Sequence, residues 1–199
     1  MPGMETLLPL LGFVVAGTVT PGPNNLMVLI SGANWGLRRT LPHIAGIAFG
    51  FPVMIVAVGL GVGVVFEAMP QLHEILKYVA FAYLLWLAWR IAGAGKPEAE
   101  AGGARPLTFI EAAAFQWVNP KAWALVFSGV ALFTTETGSK VFEIGLIAVF
   151  FGLACLPNGV VWTLFGSAIS QLLDDDSWRR RFNIAMAVLL VISVVPTLF

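Results

Sequence analysis

Residues 6–33 read TLLPLLGFVVAGTVTPGPNNLMVLISGA, an uncharged apolar run interrupted in its middle by Thr20-Pro21-Gly22-Pro23-Asn24-Asn25. The run is longer than the ~20 residues that a transmembrane helix needs. Its centre nevertheless works against a continuous helix. Each proline removes a backbone donor and obstructs the carbonyl one turn back, and Gly22 adds conformational freedom. Carbonyls freed in this way cannot face lipid; they must face a protein interior or a water-lined cavity. Asn24 and Asn25 bring carboxamides, which both donate and accept hydrogen bonds, to the same place. The stretch is therefore either a proline kink filled by neighbouring helices or a membrane crossing that carries a polar site.

The rest of the chain agrees with the membrane reading. Of 199 residues, 58% are hydrophobic and 11% are charged, and the mean hydropathy is +0.87. Soluble chains carry about 25% charged residues, so a water-soluble domain is excluded. Further apolar stretches fall at 41–66, 71–91, 109–134, 141–169 and 182–198, which predicts an all-α integral membrane protein with six crossings. A net charge of zero gives no footprint for nucleic acid. The single cysteine, Cys155, excludes an intramolecular disulfide, and two distant histidines, His43 and His73, suggest no metal site. No cofactor motif is present. No Lys or Arg precedes Arg38, which argues against a cleavable signal peptide.

The connectors are short except for Gly93 to Pro106 (GAGKPEAEAGGARP), whose composition predicts a flexible linker. It divides the chain into a first three-span half, 1–92, and a second, 107–199. Connectors after spans 1, 3 and 5 hold Arg38, Arg39, Arg90, Lys96, Arg105, Arg179, Arg180 and Arg181, against Lys77 and Lys140 on the other side. The positive-inside rule then puts the basic connectors in the cytoplasm and both termini outside. Trp35, Trp89 and Trp178 sit beside those connectors, as interfacial anchors do.

Three spans per half make the second half enter the membrane inverted relative to the first, a recurring transporter architecture with its site at broken helices near mid-depth. A common offset of 97 residues pairs Pro23 with Pro120, Gly22 with Asn119, Asn24 with Lys121 and Ser31-Gly32 with Ser128-Gly129. Each proline lies ~10 residues, or ~15 Å, from the cytoplasmic end of its span, about half the hydrocarbon thickness. Asn119-Pro120-Lys121 repeats the first break and adds an ammonium. A lysine at the membrane centre costs at least ~2.5–3.5 kcal/mol and marks function by default. Snorkelling over the ~18 Å to the cytoplasmic face would be too long a reach for its stem.

Other residues carry less. Leu156-Pro157-Asn158-Gly159 is expected to break span 5, as a kink or a cavity lining, and offers Asn158 as another intramembrane amide. His43 opens span 2 near the cytoplasmic face as an interfacial side chain or a proton relay. Gly46, Gly50, Gly59 and Gly63 form small-residue packing faces. Glu111 and Glu143 lie near span ends, Trp117 and Trp123 flank the second break as packing residues, and Asp174-Asp175-Asp176 can pair with Arg179 to Arg181. Asn183 reads as a helix-start residue.

Thr20-Pro21-Gly22-Pro23-Asn24-Asn25 and Phe115-Gln116-Trp117-Val118-Asn119-Pro120-Lys121 resemble the signatures of the LysE/RhtB family of amino-acid exporters. Tyr83-Leu84-Leu85-Trp86-Leu87-Ala88-Trp89-Arg90 and Asn158 add to the resemblance, which covers essentially the whole chain and is similar to the cysteine and O-acetylserine branch among others. It implies secondary active efflux of amino acids or their derivatives across the bacterial inner membrane, driven by the proton-motive force, as an antiporter. It implies a translocation path lined by Pro21, Gly22, Pro23, Asn24, Asn25, Asn119, Pro120, Lys121 and Asn158. Many relatives carry an acidic residue where Phe51 follows Gly50 here, so Lys121 and His43 become the candidates for proton coupling. The partners are then a small amino acid and lipid, and a homodimer is compatible.

On this reading, Lys121 and helix N-termini hold the substrate carboxylate, while freed carbonyls and the amides of Asn24, Asn25 and Asn119 receive its ammonium. The main competitor is a transporter of a different small solute or ion. A membrane enzyme would need a nucleophile–base pair, an intramembrane metal motif or paired cysteines, and no span carries such a set. A structural or assembly subunit remains open, although it would leave Lys121 buried without purpose.

Overall fold

A computed structural model describes residues 4–62, 70–93, 105–136, 138–170 and 175–195. The regular elements among these residues are all helices, in the order α1 (Met4–Val19), α2 (Pro23–Ala57), a π-helical turn (Val58–Val62), α3 (Pro70–Ala92), α4 (Phe109–Phe115), a 3-10 turn (Gln116–Val118), α5 (Pro120–Phe133), α6 (Lys140–Ser170) and α7 (Asp176–Ile192). Most of the 93–106 linker, at 94–104, lies outside the described residues.

The expected crossing at 6–33 is two helices. α1 stops at Val19, and the Thr18 and Thr20 hydroxyls turn back onto the carbonyls of Val14 (2.8 Å) and Ala16 (2.9 Å). α2 restarts with extended Gly22 as its N-cap and Pro23 at its first position, where proline loses no helical hydrogen bond. The stretch at 109–134 is divided in the same way. α4 and the 3-10 turn end at Asn119, whose side chain accepts from the Lys121 amide, and Pro120 opens α5.

The connector expected between the first two spans is a single residue. Gly36, at φ 72° and ψ 173°, takes a left-handed conformation that favours glycine, and α2 folds there into arms 23–35 and 37–57. Ser31 Oγ and Thr40 Oγ1 lie 2.7 Å apart across this bend, whereas nine residues of straight helix would rise ~13.5 Å. Arg38 and Arg39 therefore open the second arm instead of occupying a loop.

α2 and α6 pack along each other, and α3 pairs with α7 at the side. Small residues permit the central approach: Gly32 abuts the Thr163 backbone, and Gly166 abuts Leu29 and Ala33. Gly46 and Gly50 lie against α4 at Phe109 and Ala113, the packing role read from their spacing. The larger core gathers Phe51, Met54, Ile55, Ile144, Ile147 and Phe151, with the rings of Phe51 and Phe151 edge-to-face at 5.0 Å. A second cluster joins Leu26 and Met27 to Leu84, Leu87, Ala187 and Leu190.

The outside is as apolar as the inside. Phe49, Val53, Val149, Leu153, Leu164 and Phe165 are all exposed, a surface suited to lipid. α6 is long and apolar enough to cross a membrane, and the run Pro23–Gly61 passes the same test by length and composition although it is folded at Gly36. Trp89 and Trp178 are also exposed.

Candidate functional site

The two helix breaks meet. A cavity of about 40 Å³ between them is lined by Gly22, Asn24, Asn25, Asn119, Lys121 and Asn158, with Val28, Ile47, Phe51 and Cys155 completing its wall. That volume holds about three waters at ~10–15 Å³ each. Pro21, Pro23 and Pro120 do not line it; they create the breaks that aim the other side chains inward.

The polar groups form two hydrogen-bonded sets, one around Asn25 and Lys121 and one around Asn24. Asn25 Nδ2 donates to the carbonyls of Thr18 (2.7 Å) and Thr20 (2.9 Å), and its Oδ1 accepts from Asn158 Nδ2 (2.8 Å). Asn24 pairs amide to amide with Gln116, at 2.8 Å and 3.2 Å, and Gln116 Nε2 also donates to the Ala112 carbonyl. Lys121 Nζ donates to the Thr20 carbonyl (2.6 Å) and hydroxyl (2.8 Å) at the exposed end of α1. The carbonyls expected to stand open for a ligand are thus occupied, by Asn25 and by Lys121.

Sequence reasoning gave no weight to several of these partners. Gln116, fully buried, stood inside the quoted motif but was assigned no role. Thr18 and Thr20 act chiefly through backbone oxygens, which no motif displays. Asn183 is corrected: it lies two turns inside α7, fully buried, accepting from Asn34 Nδ2 at 3.1 Å. Trp117 and Trp123 pack together as expected, with Trp123 Nε1 donating to the Trp117 carbonyl.

His43 is not interfacial. Only 1% of it is exposed, and neither ring nitrogen has a hydrogen-bond partner. It lines a second, largely apolar cavity of about 50 Å³ with Met27, Ser31, Trp35, Arg90 and Arg105. Arg105 is held bidentately by Glu111 at 2.6 Å, and Arg90 lies over the Trp86 ring. Glu111 also completes a capping box with Thr108 at the start of α4, and Glu143 accepts from Thr135. No cluster of metal-ligating side chains occurs among the described residues.

Comparison with known proteins agrees with the fold and its breaks. The family described as LysE type translocator matches residues 15–196. The chain is 30% identical over 189 residues to the cysteine/O-acetylserine efflux proteins of Escherichia coli (strain K12) and Shigella sonnei (strain Ss046), covering 92% of each chain. No solved structure matches it. The match runs from α1 to the end of α7 and takes in both breaks and every residue of the two sets between them; the chain belongs to the LysE family of membrane translocators.

Proposed function

We propose that this protein is a secondary active exporter that moves small amino acids or their derivatives out of the bacterial cytoplasm through the cavity between the two helix breaks. The observation that carries the reading is the convergence of Lys121, Asn24, Asn25, Asn119 and Asn158 on one space. An ammonium and several carboxamides, set in an apolar wall, suit a zwitterion with a short, soft side chain. The lining holds no carboxylate among the described residues, which disfavours dibasic substrates. The relatives' names, cysteine/O-acetylserine efflux proteins, agree in substrate size.

The six-crossing, N-out and C-out arrangement is supported by the grouping of the basic connectors. Arg90 and Arg105 border one cavity with Trp35, and Arg179 Nη1 donates to the Ala33 carbonyl at 3.4 Å beside Gly36. The inverted repeat of 1–92 and 107–199 is supported by matched elements: extended N-caps Gly22 and Asn119, each followed by a first-turn proline. Rocking one half against the other would then open the cavity to each side in turn. Expression of the chain should raise the concentration of toxic amino-acid analogues that cells tolerate, and unchanged tolerance across a panel of small zwitterions would remove the proposal.

Coupling to protons falls to His43, in the second cavity, with Lys121 as the other candidate, in the first. A buried imidazole with both nitrogens unpaired can take up and release a proton as its cavity opens. The charged groups around it are Arg90 and the Arg105–Glu111 pair. His43→Gln is expected to keep exchange of labelled amino acid and to lose about tenfold of its stimulation by a pH gradient, a difference of about 1.4 kcal/mol. Stimulation equal to wild type would assign the proton elsewhere.

A further inference from the structure

We infer that the Lys121 ammonium holds the place of the substrate's own α-ammonium group, so that only a zwitterion replaces it without loss. The inference rests on the reading of this cavity as an amino-acid site and states how that site selects.

The end of α1 is suited to a cation. The break leaves the Thr18 and Thr20 carbonyls without helical partners, and the negative end of the helix dipole points the same way. Asn25 takes the first carbonyl and shares the second. The remaining capacity of the Thr20 carbonyl, and the Thr20 hydroxyl, go to Lys121 Nζ. Three N–H donors on one charged nitrogen meeting a carbonyl and a hydroxyl is the arrangement that an amino acid's ammonium would make.

Lys121 reaches that position because residue 22 is glycine. A Cβ on Gly22 would lie 2.6 Å from Lys121 Cδ and 3.2 Å from Nζ. Gly22 is extended, at φ −175° and ψ 178°, which any residue adopts. Space for the lysine stem, not backbone conformation, is what the glycine supplies.

Charge accounting then gives the selectivity. Lys121 is the one charged side chain lining the cavity among the described residues. A zwitterion offers its carboxylate to the Lys121 ammonium and places its own ammonium on Thr20. Each group lost is replaced by an equivalent one, and the net charge of the site is unchanged. Moving the lysine stem aside also enlarges a cavity that has room for about three waters. An amine without a carboxylate must displace Lys121 and leave two cations close together with no counter-charge in the cavity lining. A carboxylate without an ammonium pairs with Lys121 but leaves Thr20 with Asn25 alone. Rejection is therefore stronger for amines than for acids.

The test is equilibrium binding of L-cysteine, cysteamine and 3-mercaptopropionate to the full-length protein in lipid nanodiscs under reducing conditions. Wild type is expected to bind L-cysteine and to bind cysteamine about 100-fold more weakly, with 3-mercaptopropionate between them. Lys121→Met should weaken L-cysteine about 30-fold and tighten cysteamine about tenfold, because the Thr20 oxygens no longer have a resident cation. Gly22→Ala keeps the lysine but pushes its stem off, so cysteamine should tighten several-fold there too. That second variant decides the matter where the first fails to fold. Cysteamine affinity unchanged or weakened in the folded variants would overturn the inference while leaving the amino-acid site intact. Failure of wild type to bind any of the three probes would overturn both.

Discussion

The Gly166→Ala protein is expected to elute as aggregate from a detergent size-exclusion column on which wild type runs as a single peak. Gly166 lies on α6 where it crosses the first arm of α2, and an added methyl would collide with the Leu29 carbonyl oxygen and the Ala33 amide nitrogen. Both are backbone atoms in helices, so no side-chain rotation relieves the overlap. Separating the helices would also open the reciprocal contact of Gly32 with the Thr163 backbone. Overpacking of this kind costs about 3 kcal/mol or more, a large share of a total stability of about 5–15 kcal/mol. Gly145→Ala, on the same helix but with open space around its Cβ, is the control and should elute like wild type. Normal elution of Gly166→Ala would mean that α2 and α6 do not approach as closely as described.

Asn25→Leu should abolish export while leaving more protein folded than Gly166→Ala does. The asparagine donates to two carbonyls released by the first break and accepts from Asn158. Leucine removes all three bonds at once, and each buried group left without a partner costs about 1–3 kcal/mol. Export is expected to fall at least ~100-fold, equivalent to about 2.7 kcal/mol in the transport barrier. Asn24→Ala should be milder, since Gln116 retains its bond to the Ala112 carbonyl. Transport rates in reconstituted vesicles rank the three proteins, and equal rates for Asn25→Leu and wild type would remove the Asn25 set from the transport path.

Much of this arrangement could be read from the sequence because its causes are local. The prolines at 21, 23 and 120 stand beside Gly22 and Asn119, where helices end, whereas Pro9, Pro42, Pro52 and Pro157 lie inside helices that continue through them. The scarcity of charge in the long apolar stretches points to lipid. The offset between Pro23 and Pro120 was visible for the same reason. What escaped depends on distance along the chain. Thr20 and Lys121 are 101 residues apart, and nothing in either residue announces the other. Gln116 became Asn24's partner only through folding, and Asn183 found Asn34 across 149 positions. The turn at Gly36 was hidden for a different reason. A single positive φ closes it, and one glycine among 21 carries no mark of which will take that conformation. The burial of His43 was not legible because its neighbours at 40–44 suggest an exposed helix start, whereas the fold-back at Gly36 turns it into an internal cavity.

The proposed route of an amino acid out of the cytoplasm is the space between the two breaks. Efflux of radiolabelled L-cysteine from preloaded vesicles, compared between wild type and a correctly inserted protein carrying both Asn24→Ala and Lys121→Ala, tests it most directly. Rapid loss of label with wild type, and retention in the variant at the level of protein-free vesicles, is the predicted result. Equal rates of loss from the two would contradict it.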